Sequence, residues 1–223
     1  MDPQLAIFFI GALFAGAALL SWYNSEAQVV KRLLAATARV TIGAFPVGTR
    51  ARVVGTVTPL ATVTTPISGR VCVFFEVVVE EYRSSGKSGT WHRVASELRA
   101  VAFLVTDGTG RALVDPTAAR VSLELDEETQ SGTFDDPTPS ESAFLARHRV
   151  EGATWIGSNK RLRYREFVIA AGDVVAVAGV GTRELDPDAG TSGEGYRDVP
   201  MRLALRSTAD EPLLISDRSD ALV

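Results

Sequence analysis

The chain has 223 residues, with 23 Lys and Arg against 27 Asp and Glu, a formal charge of −4 and a pI near 5.3. This balance speaks against a nucleic-acid binder, which needs a basic face to release counterions from phosphate. One cysteine and two histidines exclude an intrachain disulfide, a Cys-based zinc site and a His-rich metal centre, and point to no cofactor.

Between Asp2 and Glu26 the chain runs 23 residues without a charge, most of them apolar. As a helix this run is about 30–35 Å long, enough to cross a hydrocarbon core of about 30 Å. Trp22 and Tyr23 fall at its C-terminal end, where amphipathic rings favour the headgroup level. A cleaved signal peptide is the competing reading, since Ser25-Glu26-Ala27 is passably A-x-A-like. No Lys or Arg precedes the run, however, and residues 1–24 are therefore read as a transmembrane anchor. Lys31, Arg32, Arg39, Arg50 and Arg52 follow it, against the single nearby acid Glu26. The positive-inside rule then puts the N-terminus outside and the bulk of the chain in the cytoplasm, as a single-pass protein partnered by the bilayer.

Residues 25–42 are expected to form a helical juxtamembrane stalk, helical over 25–40, capped by Ser25 and striped by Val29, Val30, Leu33 and Leu34. Its charges read as a solvated face. Residues 43–223 read as a β-domain. Strands are expected at 50–57, 69–82, 90–98 and 121–125. A hairpin is expected over 99–116 around Asp107-Gly108-Thr109-Gly110. The acidic stretch 126–141 reads as a surface loop, and 142–150 as a short helix after Thr138-Pro139-Ser140. Strands resume over 160–185 around a tight turn at Ala171-Gly172-Asp173. After a Gly- and Asp-rich loop they continue at 201–207 and 212–217. Short strands with one short helix predict a mainly β fold, a small OB-like β-barrel.

An ordered set of residues carries a resemblance. It comprises Pro66, Ser68-Gly69, Cys72 within an apolar run ending in Glu80-Glu81, Trp91, Asp107-Gly108-x-Gly110, Asp115-Pro116, Arg165-Glu166, Gly172-Asp173 and Ile215-Ser216-Asp217. Over roughly residues 30–220 this resembles the GIDE-type, or "beside a membrane" (BAM), domain, found in mitochondrial outer-membrane ubiquitin ligases and many prokaryotic relatives. In the eukaryotic members the domain lies between two transmembrane helices and is followed by a zinc-binding RING finger. This chain stops at Val223, so no second anchor is expected, and one cysteine cannot supply the eight ligands of a RING. The resemblance therefore implies family-motif positions, but no ligase residue.

Cys72 invites a nucleophile reading with His92 or His148 as base. Its place inside an apolar strand instead makes it a small buried hydrophobe. Glu80 and Glu81, as strand neighbours, face opposite sides and cannot share a pocket. Asp107-Gly108-Thr109-Gly110 lies between strands and so reads as a turn rather than a phosphate cradle. Trp91 and Trp155 are candidates for closing a ligand groove, though core packing is the plainer role; Arg165 and Glu166 read as a local ion pair or a sheet-edge charge. The expected function is a non-enzymatic, membrane-tethered domain binding a protein or small ligand at the bilayer surface. The alternatives are a ligase component acting with a separate RING-type chain, a hydrolase centred on Cys72, and a structural membrane-quality protein.

Overall fold

In a computed structural model the described residues are 26–85, 88–132, 135–151, 160–187 and 200–223. The expected anchor over 1–24 and Trp155 lie outside them. Among the described residues no helix is long and apolar enough to cross a membrane.

The chain is mainly β, and its centre is a closed five-stranded barrel. Its strands are β1 (Arg50–Pro59), β6 (Phe103–Thr106), β7 (Arg111–Val114), β11 (Val174–Leu185) and β12 (Met201–Leu205). The order around the barrel is β1-β6-β7-β12-β11 and back to β1. Every pair is antiparallel except β7 with β12. Alternation of apolar side chains dictates the inside. Val53, Val57, Phe103, Val105, Ala112, Val114, Val175, Val177, Leu203 and Leu205 are spaced by two along their strands and all are buried. Gly55 holds the same inward parity between Val53 and Val57. A Cβ there would lie 2.4 Å from the Thr106 carbonyl oxygen, so β1 and β6 meet at a distance that a side chain would prevent.

β11 is long enough to use both edges. Val174–Val180 pairs with β1, Gly181–Leu185 pairs with β12, and Ala176–Ala178 also pairs with β13 (Leu214–Ser216). β8 (Arg120–Ser122) extends that edge in parallel with β13.

Two insertions build a second, all-antiparallel sheet. The chain between β1 and β6 contributes a small hairpin, β2 (Val63–Thr64) with β3 (Val71–Cys72), then β4 (Phe74–Ser85) and β5 (Ser88–Ala100). The chain between β7 and β11 contributes β9 (Glu127–Ser131) and β10 (Leu162–Ile169). The order is β5-β4-β10-β9. The 126–141 stretch, expected as loop, thus holds a strand. Glu127–Ser131 is polar because it is an edge, and its register with β10 supplies the order that hydrophobic alternation does not.

The short helix (Pro139–Arg147) lies under this sheet, where Phe144 and Leu145 join Phe75, Val77, Val79, Leu162 and Tyr164. It starts earlier than expected because Thr138 forms a capping box. The Thr138 hydroxyl accepts from Glu141 N at 3.3 Å, and the Glu141 carboxylate accepts from Thr138 N at 2.7 Å.

The N-terminal helix α1 (Glu26–Ala35) ends five residues short of the expected boundary. Val30 and Leu34 are fully buried against Ala176, Ala178, Leu214 and Ala221, so it is packed into the domain along one face. Beyond it Ile42 and Phe45 enter the barrel core.

Gly55→Ala is expected to lower unfolding free energy in urea by about 2–4 kcal/mol through the forced separation of β1 and β6. Thr58→Ala, at an exposed position of the same strand, should change it by about 0.5 kcal/mol or less. Equal effects would mean that the close crossing is not what demands glycine.

Candidate functional site

One face of the second sheet is covered by the short helix; the other carries a charged, aromatic surface. Register fixes its members. Glu76 stands opposite Phe167, Val78 opposite Arg165 and Glu80 opposite Arg163. On the other side Glu76 faces Leu98, Glu80 faces Arg93 and Tyr82 faces Trp91, with a bulge after Val79. The start of α1 and β8 stand across from this face, enclosing a groove of about 390 Å³. Its floor includes Val78, which is buried, with Phe167, Val121 and Leu123.

The ion pairs around the groove are of two kinds. Arg120 holds Glu26 with both nitrogens, at 2.5 and 3.0 Å, and this bond holds the Glu26 carboxyl below its usual range. Arg163 holds Glu80 at 3.0 and 2.6 Å. The others are loose: Arg93 is 3.9 Å from Glu76, and Arg165 is 3.9 Å from Glu80 and 3.6 Å from Glu128. Buried Arg165 Nε has no hydrogen-bond partner. At the far end of the same face Tyr82 and Trp91 meet edge to face at 5.3 Å, and the Arg163 guanidinium lies 4.4 Å above the Trp91 ring. Trp91 is thus half-buried among cations, outside the core.

The other motif positions do not gather in this groove, and most of them secure turns. Asp107 takes the Ile42 N–H at 2.8 Å with one oxygen and the Thr109 N–H and hydroxyl at 2.8 and 2.7 Å with the other, while Gly108 adopts φ +84°. These bonds hold its carboxyl below the ordinary range against the opposing effect of burial. Gly110 packs close to Ile42, where a Cβ would lie 3.1 Å from the Ile42 side chain. The cluster clamps the β6–β7 turn onto the segment leading from α1. Asp173 accepts from Ala170 N at 2.7 Å, with Gly172 at φ +88° in the turn before β11. Pro116 accepts from Ala119 N at 3.0 Å in the turn before β8.

Glu166 is no ion-pair partner at a sheet edge. It is 2 % exposed, and its Oε1 accepts from Ile67 N at 3.2 Å and Ser68 N at 3.4 Å. It thereby fastens the Pro66–Gly69 turn of the β2–β3 hairpin to β10. Cys72, in that hairpin, is buried; its Sγ donates to the Val63 carbonyl at 3.6 Å, and burial pushes the thiol up to about 11. His148 bonds Glu97 at 3.0 Å, while His92 is exposed on β5. Neither serves Cys72 as a base, which removes the hydrolase alternative. Among the described residues no set of three or more His, Cys, Asp or Glu side chains is arranged to hold a metal.

A second cluster lies where β13 runs out. Glu124, Asp126, Asp173 and Asp217 surround a smaller depression. Asp217 accepts from Glu124 N at 2.8 Å, yet burial, with repulsion from Asp126 and Glu124 added, raises it to about 6.

Glu26, Glu76, Arg93 and Arg120 were not foreseen at this site. For Glu76 the signal is the shared parity of 76, 78 and 80, but its alignment with 165 and 167 needs the strand pairing, and Glu26, Arg93 and Arg120 reach the groove only through the topology. No protein-family model, curated protein or solved structure matches the chain.

Cys72 should react with a water-soluble disulfide reagent at pH 8 at least about 100-fold more slowly than free cysteine, since only a small thiolate fraction exists. Reaction at the free rate would show an open hairpin. For Asp217 the folded value lies above the unfolded one, so the folded state holds the extra proton between about pH 4 and 6. Its contribution is most favourable below that window and is lost as pH rises through it. Asp217→Asn keeps the acceptor for Glu124 N, and should stabilise the protein by about 1–2 kcal/mol at pH 7.5 and leave it unchanged at pH 3.5. Thermal melts at both values test this; equal shifts would reject the assignment.

Proposed function

We propose that this protein is a non-enzymatic, membrane-tethered domain that binds a ligand in the groove beside its tether. The observation that carries the reading is the position of Glu26. It is the first charged residue after the 23-residue uncharged run, and it is locked to Arg120 on the groove's rim. A run able to cross a bilayer therefore enters the domain where a half-open, charge-lined groove lies. Tethering fixes the groove at a high effective concentration of whatever lies at that surface.

The fold reading belongs with this proposal. The β1-β6-β7-β12-β11 order, with one parallel pair between the third and fifth barrel strands in chain order, supports an OB-like barrel carrying two insertions. The GIDE/BAM resemblance agrees with a domain that works next to a membrane. The basic flank, Lys31 to Arg52, supports a cytoplasmic placement.

Two measurements test the tether and its orientation. The full chain in membranes should resist carbonate extraction, whereas a chain lacking residues 2–24 should be released. Because Cys72 is shielded, a fluorophore on Leu98→Cys reports the groove alone. It should be quenched by bilayer-embedded bromolipids about tenfold more strongly than one on Leu185→Cys, at the far end of β11 from the α1 contact, as the steep distance dependence of contact quenching across a domain about 30 Å wide requires. Equal quenching would place the groove away from the membrane.

A further inference from the structure

Resting on that tethered reading, we propose that the groove binds the headgroup of a zwitterionic, primary-amine phospholipid, a phosphatidylethanolamine. Arg165 and Arg93 take its phosphate and Glu76 takes its ammonium. Three observations carry this choice.

The first is charge. The groove's lining holds Glu26, Glu76 and Glu80 against Arg93, Arg120 and Arg165, three of each sign and no net charge. An anionic headgroup would gain from the arginines and lose as much to the carboxylates. A headgroup with both charges meets a partner at each end.

The second is spare capacity. Glu26–Arg120 and Glu80–Arg163 are closed pairs at hydrogen-bond distance. Glu76 and Arg93 are held apart at 3.9 Å, and Arg165 has only long approaches to Glu80 and Glu128, with its Nε unpartnered. A buried cationic donor left without a hydrogen bond costs free energy that an arriving phosphate oxygen would recover once the side chain turns towards it. The unsaturated groups are thus two cations and one carboxylate, the complement of a phosphate and an ammonium.

The third is the kind of ammonium. A quaternary amine wants an aromatic cage. Phe167 is the aromatic ring in the described lining, and the Arg165 guanidinium already lies 5.3 Å above it. A primary ammonium instead brings three N–H donors, which the Glu76 carboxylate can accept. Val78, Val121 and Leu123 offer apolar floor to the glycerol end, and a volume of about 390 Å³ lies in the range of small-ligand sites.

The test uses the full chain, solubilised in mild detergent and offered equal amounts of dioleoyl phosphatidylethanolamine, phosphatidylcholine and phosphatidylglycerol. After gel filtration, bound lipid is counted by mass spectrometry. Phosphatidylethanolamine should exceed phosphatidylcholine by about tenfold, the equivalent of one charge-assisted hydrogen bond. Glu76→Gln should abolish the preference, and Arg165→Gln, which removes a phosphate contact common to both lipids, should lower uptake of phosphatidylethanolamine and phosphatidylcholine together by about tenfold, each with the wild-type melting profile. Should Arg165→Gln unfold the sheet, Arg93→Gln, at an exposed position, replaces it. Equal uptake of all three lipids, a preference unchanged in Glu76→Gln, or uptake unchanged in the arginine variant, overturns the inference. Enrichment of phosphatidylglycerol overturns it in favour of simple basic attraction. Carbonate extraction of the same chain separates the two readings. Release from membranes sinks the tether and this inference with it, whereas retention without headgroup preference sinks the inference alone.

Discussion

The pairing of β11 with β1 is the constraint on which the rest depends. Seven residues of β11, Val174 to Val180, lie in register with Arg50 to Thr56, and that ladder closes the barrel. The same stretch of β11 offers its other edge to β13, and its outward Ala176 and Ala178 form the floor on which α1 lies. Without the β1–β11 ladder the barrel would be an open sheet with two bare edges. The small outward alanines matter in their own right. Larger side chains at 176 and 178 would lift Val30 and Leu34 off the surface, and the helix that connects the N-terminal run to the groove would lose its seat.

The barrel leaves its insertions to carry the polar chemistry. Inside it the described residues form one buried apolar cluster. The second sheet is different. One face is sealed by the short helix, while the opposite face keeps charged residues in ladders across β5, β4, β10 and β9. A strand places alternate residues on opposite faces, so Glu80 lies on the open face with Arg163, while Glu81 turns away to Arg83 and Lys160. The same rule separates neighbours Arg165 and Glu166. Arg165 joins the groove; Glu166 is driven beneath the β2–β3 hairpin, where two backbone N–H groups satisfy one of its oxygens.

What could be read from the sequence was what depends on near neighbours. The hairpin around Asp107-Gly108-Thr109-Gly110 and the turn at Gly172-Asp173 follow from local chemistry. Glycines with φ of +84° and +88° stand where the chain reverses, beside aspartates that accept local N–H groups. The fate of Cys72 followed from its apolar run. β9 escaped because an edge strand with polar residues on both faces has no alternation to betray it. The role of Glu166 escaped because its partners, Ile67 and Ser68, lie about a hundred residues away in sequence. The groove itself escaped for the same reason. Glu26, Arg93, Arg120 and Arg165 come from four separate elements and meet only through the topology.

The seating of α1 bears directly on how a tethered domain of this kind would work. A free helical stalk lets a domain tumble beneath its anchor, and only its concentration at the surface is then defined. Here α1 is buried along Val30 and Leu34 and pinned at its start by Glu26 to Arg120 and midway by Lys31 to Asp220 at 2.6 Å. The exposed pairs are individually weak, on the order of 1 kcal/mol or less. The two buried side chains supply most of the rigidity, each worth roughly 1.5–3 kcal/mol. The groove's first wall is the residue at which the uncharged run ends, so an anchor formed by that run would fix orientation as well as proximity. A ligand held there would not need to recruit the domain or turn it, because those entropic costs are met by folding. For a domain anchored in that way, modest polar contacts of the loose kind that Arg93, Arg165 and Glu76 offer would suffice for selectivity at a bilayer surface, where the same contacts in free solution would not.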